Sequence, residues 1–157
     1  VLKHKVNALL QYNRLEYLKR DKEFEVVNME EIALSVIKIY KFDTNIIYKT
    51  DLETCSFSGY RENYYTVVSN IVDNARRYAS TEIKITTRQN YIEIYNDGPN
   101  IDEQFLNAQF RAYEKGSKGQ FGLGMAIVKK TLDFFEMNLK VINKKPGVVF
   151  RISKRKK

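Results

Sequence analysis

Among its 157 residues the sequence has one cysteine, one histidine, two prolines and no tryptophan. The lone Cys55 rules out an internal disulfide and reads as a small apolar residue suited to a reducing compartment. No stretch approaches the roughly 18 consecutive apolar residues of a membrane-spanning helix, and no signal peptide is visible. Internal repeats and low-complexity segments are also lacking. What remains is 43% hydrophobic and 29% charged, which suits one globular domain, or one domain with a short attachment. The formal net charge of +8 raises the question of nucleic acid. Much of that excess sits in the terminal "SKRKK", the other lysines are scattered, and no Arg/aromatic ladder accompanies them. A solvated basic surface is expected, and no nucleic-acid partner.

Along the chain, "VLKHKVNALLQYNRLEYLKR" has the apolar spacing of an amphipathic helix that should pack on a partner helix. "DKEFEVV" predicts a turn and a short strand. "NMEEIALSVIKIYKF" predicts a second helix, with Asn28 and Glu31 at capping-box spacing. Short strands are expected at "NIIYKT" and "TCSF", followed by "SGYRENYYTVVSNIVDNARRYA", a loop leading into a helix. Alternation on both sides of Gln89-Asn90 predicts a hairpin. Residues 102–108 suit a helical turn, "FRAYEKGSKGQFG" a mobile loop, "LGMAIVKKTLDFFEM" a helix and "LKVINKKPGVVFRI" a closing hairpin. The mixture lacks a strict βαβ alternation, so the expected class is α+β: one mixed sheet with helices on one face.

Three segments carry chemistry. In "SNIVDNARRYA", Asn70, Asn74 and Arg77 fall at i, i+4 and i+7, opposite the apolar Val67, Val68, Ile71, Val72 and Ala75. Asparagine is a mediocre helix former, so two of them one turn apart call for a reason. A side-chain amide offers an oxygen to a hard cation and N–H donors to phosphate oxygens, and Mg²⁺ on a nucleotide needs only one or two protein oxygens. Arg77 would serve as a phosphate counter-charge. In "YNDGPNI", Gly98 and Pro99 form a turn that a flat ligand could approach, and Asn96 or Asp97 could bond an exocyclic amine. In "KGSKGQFGLGMAIVKK", Gly116, Gly119, Gly122 and Gly124 lead into a helix, an arrangement that presents free N–H groups to an anion. It matches neither a P-loop nor a dinucleotide fingerprint. Lys115 and Lys118 suit a lid over phosphates.

In that order, "NIVDNARRYA", "NDGPNI" and "GQFGLGMAIVKK" resemble the N box and the two glycine boxes of the sensor histidine kinases, within the superfamily shared with gyrase, Hsp90 and MutL. "FRAYEKG" resembles the phenylalanine box that opens the ATP lid. The resemblance covers roughly residues 21–152 and implies a Bergerat-type ATP-binding fold, a two-layer sandwich of a mixed sheet and helices, preceded by one helix. It implies Mg²⁺ on Asn74, with Asn70 assisting at metal and phosphate, Arg77 on phosphate and Tyr78 lining the nucleotide. Asn96, Gly98 and Ile101 match the adenine side. Gly122, Leu123, Gly124 and Met125 match the phosphate side, with Tyr113, Lys115 and Lys118 in the lid.

Three departures stand out. Asn96 occupies the position where the family usually has the adenine-binding aspartate; its amide oxygen could still accept from the adenine amine. Asn100 replaces a glycine, and Asn tolerates positive φ better than most residues. Val148 stands where a threonine is frequent. A further position separates activities: the superfamily's hydrolases carry a water-activating glutamate where this chain has Asn70, which is no general base. The resemblance therefore implies a kinase passing the ATP γ-phosphoryl to a histidine on a dimerisation domain, for relay to a response regulator. The implied full-length protein is a homodimer tethered to the cell membrane, with this portion cytoplasmic and out of contact with the membrane. His4 lacks the acceptor context, so the acceptor is expected outside this chain. Residues 1–20 look like the second helix of the dimerisation hairpin, and residues 21–157 like the catalytic domain. A serine kinase of the anti-sigma type and a degenerate ATP-binding scaffold are the rival readings.

Overall fold

The computed structural model describes residues 24–42, 45–111 and 123–155. The helix expected over residues 1–20, with His4, lies outside them. The described elements are β1 (Glu25–Asn28), α1 (Met29–Tyr40), β2 (Ile47–Leu52), β3 (Ser56–Gly59), α2 (Arg61–Tyr78), β4 (Glu82–Arg88), β5 (Tyr91–Asn96), α3 (Glu103–Phe110), α4 (Gly124–Phe134), β6 (Met137–Asn143) and β7 (Val148–Lys154).

Strand alternation decides which face of the sheet is covered. Ile83, Ile85 and Thr87 of β4 and Ile92, Ile94 and Asn96 of β5 are buried, while the residues between them are only partly so. These strands belong to a five-stranded sheet of order β2-β4-β5-β7-β6, in which β2 runs parallel to β4 and every other pair is antiparallel. β1 and β3 form a separate antiparallel pair. The isoleucines join one core with Met29, Ile32, Ala33 and Val36 of α1, the apolar stripe of α2, and Val128 and Leu132 of α4. Each fully buried Ile contributes about 1.5–3 kcal/mol of transfer free energy. The α+β expectation holds: a mixed sheet with helices on one face.

Local signals also hold. The Asn28 side chain accepts from the Glu31 N–H at 3.0 Å, the cap that the spacing predicts. Cys55 is buried, and burial, aided by Glu30, pushes its thiol up to about 11, which leaves it unreactive at neutral pH. One boundary differs: α2 starts at Arg61, so most of the expected loop is helix. Tertiary packing extends it, because the Tyr64 ring stacks on Phe135 at 4.9 Å and its hydroxyl donates to the Ser58 carbonyl at 2.9 Å. Strands β2 and β3 are likewise displaced by two residues toward the C-terminus from their expected positions. Among the described residues, no helix is long and apolar enough to cross a membrane.

Candidate nucleotide site

The C-terminal half of α2, the end of β5 and the start of β7 meet around a cavity of about 120 Å³. Strand register builds this corner: Asn96, the last residue of β5, pairs with Ile83 on one side and Val148 on the other. Tyr78, Pro99, Ile101, Phe105, Val148 and Phe150 supply apolar surface to the cavity, and Asn74, Asn96, Asn100 and Asp102 supply polar groups. An apolar cleft with a few convergent polar groups is the usual form of a small-ligand site.

The turn after β5 is tied down through backbone groups. The Asp97 carboxylate accepts from the Ser80, Thr81 and Glu82 N–H groups at 2.9–3.0 Å, and from the Thr81 hydroxyl. Burial alone would raise its pKa, but the Thr81 hydroxyl and those N–H groups outweigh burial and hold it at about 2. Asp97 is therefore a structural anchor, and Asn96 is the residue of the pair that faces the cavity. At Gly98 an added Cβ would lie 2.0 Å from the Tyr78 carbonyl oxygen. Here glycine lets the turn pack on the end of α2, a different reason from the ligand approach expected of it. Asn100 does not use its tolerance of positive φ, which among the described non-glycine residues occurs only at Glu136. Its Nδ2 instead donates to the Lys144 and Gly147 carbonyls at 2.8 and 2.9 Å. Asn143 exchanges two bonds with the Ile101 backbone, at 2.9 and 3.1 Å.

The three polar residues of α2 do not share one environment. Asn74 is 8% exposed, so it lies on the buried side rather than the solvent side, and it faces the cavity. Its side chain makes no hydrogen bond among the described residues. Asn70, one turn earlier, has a buried Nδ2 with no partner. Its Oδ1 would lie 3.5 Å from a Cβ added to Gly124, which puts it beside the first turn of α4. Helix α4 begins at Leu123–Gly124, and no side-chain cap holds its first N–H groups among the described residues. Arg77 turns away from Asn74 to Asp73, at 3.0 Å, and Arg76 takes the other oxygen of that carboxylate at 2.9 Å. Such exposed pairs are worth only about 0.2–1 kcal/mol, and a phosphate could compete for either arginine.

The remaining expected residues divide clearly. Tyr78 is 40% exposed and lines the cavity, as do Asn96 and Ile101. Gly98 shapes the turn. Met125 is 4% exposed and packs in the core, not in the cavity. Tyr113, Lys115, Lys118 and Gly122 lie outside the described residues. Sequence reasoning missed Phe105, Phe150 and Asp102. Phe150 was legible by strand period, two residues beyond Val148 on the same face. Asp102 was legible as a helix cap, since its Oδ1 accepts from the Phe105 N–H at 3.1 Å. Among the described residues no group of three or more His, Cys, Asp or Glu could hold a metal.

Residues 59–157 match the family described as "Histidine kinase-, DNA gyrase B-, and HSP90-like ATPase". Sensor histidine kinase CssS of Bacillus subtilis (strain 168) is 32% identical over 97% of this chain and 35% of its own length. The chain thus spans about a third of that relative. Full-length ShkA, solved in complex with AMPPNP, has a TM-score of 0.79 at 16% identity, covering 98% of this chain and 35% of that one. Histidine kinase ThkA, solved with response regulator protein TrrA, has a TM-score of 0.73 at 23% identity, covering 99% and 47%. The match over residues 59–157 means that the chain belongs to the histidine kinase-, DNA gyrase B- and HSP90-like ATPase family.

Proposed function

We propose that this domain binds Mg·ATP and delivers the γ-phosphoryl to a histidine on a helical dimerisation domain, which then serves a response regulator. One observation carries the reading. Asn70 Nδ2, buried on α2, has no hydrogen-bond partner among the described residues, and one turn on, Asn74 lines the cavity with its side chain likewise unbonded among them. Buried polar groups are otherwise nearly always paired. Here a ligand with phosphate oxygens and a hard cation would satisfy both.

The residues fit that ligand. Asn74 Oδ1 would hold Mg²⁺, Asn70 Nδ2 would donate to a phosphate oxygen, and the uncapped N–H groups of α4 would face the same anion. Bound Mg·ATP supplies the phosphoryl group and the charge neutralisation its transfer needs. The chain's own part is positioning. The cavity fixes the base, α2 sets the amides at a fixed distance from it, and Arg77, released from Asp73, can meet developing charge. Asn70 cannot remove a proton from water, so hydrolysis is suppressed and the phosphoryl group waits for an external nucleophile. The resemblance to CssS favours histidine as that nucleophile, and homodimerisation of the full-length protein, with the sensor portion at a membrane, follows from the same reading.

The test supplies this chain in trans with its dimerisation hairpin and labelled ATP. Phosphate that is stable to base and labile to acid, with near-background hydrolysis by the chain alone, is the expected result. Phosphoserine would move the protein to the anti-sigma class, and robust multiple-turnover hydrolysis would overturn the kinase reading.

A further inference from the structure

Resting on the nucleotide reading above, we propose that Asn96 makes the base pocket accept 6-oxopurine nucleotides, those of hypoxanthine and guanine, alongside adenine. The argument turns on which way the Asn96 carboxamide points. Its Oδ1 lies 3.0 Å from the Gly98 backbone nitrogen in a buried contact. That nitrogen is a donor, so only oxygen can stand opposite it, and the amide orientation follows from chemistry. Reversing the amide would set two N–H groups against each other and leave the Gly98 donor unpaired. Asn96 is 3% exposed, lines the cavity, and has no partner for Nδ2 among the described residues. The group it offers the pocket is therefore a donor.

A donor that lines the cavity is matched by a base that brings an acceptor. At the exocyclic position adenine carries an amine, a second donor, whereas guanine carries the O6 carbonyl. Hypoxanthine shares that carbonyl. A carboxylate in place of Asn96 could accept from the Gly98 N–H with one oxygen and from an adenine amine with the other. The amide has one oxygen, held toward the Gly98 N–H, and its other terminal group is a donor. Adenine can still bind through a ring nitrogen, so what this substitution removes is discrimination.

The experiment is competition titration of ADP, IDP and GDP with Mg²⁺ on the full chain and on Asn96→Asp. IDP is the primary probe because it lacks the 2-amino group of GDP. One net hydrogen bond at the exocyclic group corresponds to about a tenfold ratio. The wild-type chain should bind IDP within about tenfold of ADP, and Asn96→Asp should favour ADP by more than that. A wild-type preference for ADP beyond about tenfold, or a ratio unmoved by Asn96→Asp in a folded protein, overturns the proposal. If the variant does not fold, the wild-type IDP:ADP ratio decides by itself. Failure of the folded wild-type chain to bind any of the three diphosphates would instead sink the nucleotide reading.

Discussion

The two ends of the site are built on opposite principles. At the base end the polar side chains are mostly engaged with backbone: Asp97 takes three N–H groups, Asn100 joins two carbonyls, and Asn143 both donates to and accepts from Ile101. At the phosphate end Asn70 Nδ2 is buried without a partner and α4 starts without a side-chain cap. Fully satisfied networks fix one geometry, while unpaired buried groups store a demand that a ligand can meet. On the proposed reading, the base end is shaped in advance and would govern selectivity. The phosphate end depends on what binds, and it should account for metal dependence and most of the affinity.

Changes that break the base end should cost most. Gly98→Ala drives a methyl group into the Tyr78 carbonyl, so the turn must move; a loss of about 1–3 kcal/mol in unfolding free energy is expected, with nucleotide binding abolished. Denaturant unfolding and titration check both, and an unperturbed Gly98→Ala protein would mean that the packed turn is not what positions Asn96. Next, Asn74→Ala should remove Mg²⁺-dependent nucleotide affinity while the protein stays folded, since the side chain has no partner to lose among the described residues.

Asn70→Ala separates the two ends more finely. Stability should stay within about 0.5 kcal/mol of wild type, because an unpartnered amide supports nothing. Triphosphate affinity should fall about tenfold and nucleoside affinity should not change, one charge-assisted hydrogen bond being the difference. Equal losses for both ligands would place Asn70 in a structural role. The smallest effect concerns acid. The Asp97 carboxyl is lowered from 3.8 to about 2 in the folded chain, so its contribution is complete above pH 3.8 and is lost as pH falls toward 2. Comparing acid unfolding of wild type and Asp97→Asn should show the variant less sensitive across that window; identical curves would contradict the anchor role.

The same contrast explains what the sequence could and could not tell. Elements with strong periodicity, such as the β4–β5 hairpin and the core stripe of α1, were legible because burial follows spacing directly. The start of α2 was not, since Tyr64 becomes helical through stacking on Phe135, a contact 71 positions away that no local pattern encodes. In the site, residue types pointed to segments that meet around the cavity. Their orientation did not follow from type: Asn74 turns inward, Arg77 turns to Asp73, and Asn96 presents nitrogen where oxygen was expected. Phe150 and Asp102 belong to the cavity through strand register and a helix cap, signals that were present but unweighted.

The most direct test of this division is calorimetric titration of a non-hydrolysable ATP analogue, and of the bare nucleoside, with and without Mg²⁺. Wild type should bind the triphosphate at least about tenfold tighter with the metal, one protein–metal contact being worth that much or more, and Asn74→Ala should lose the difference. Nucleoside binding should ignore Mg²⁺ in both proteins. Triphosphate affinity that is the same with and without Mg²⁺ in the wild-type chain would contradict the account.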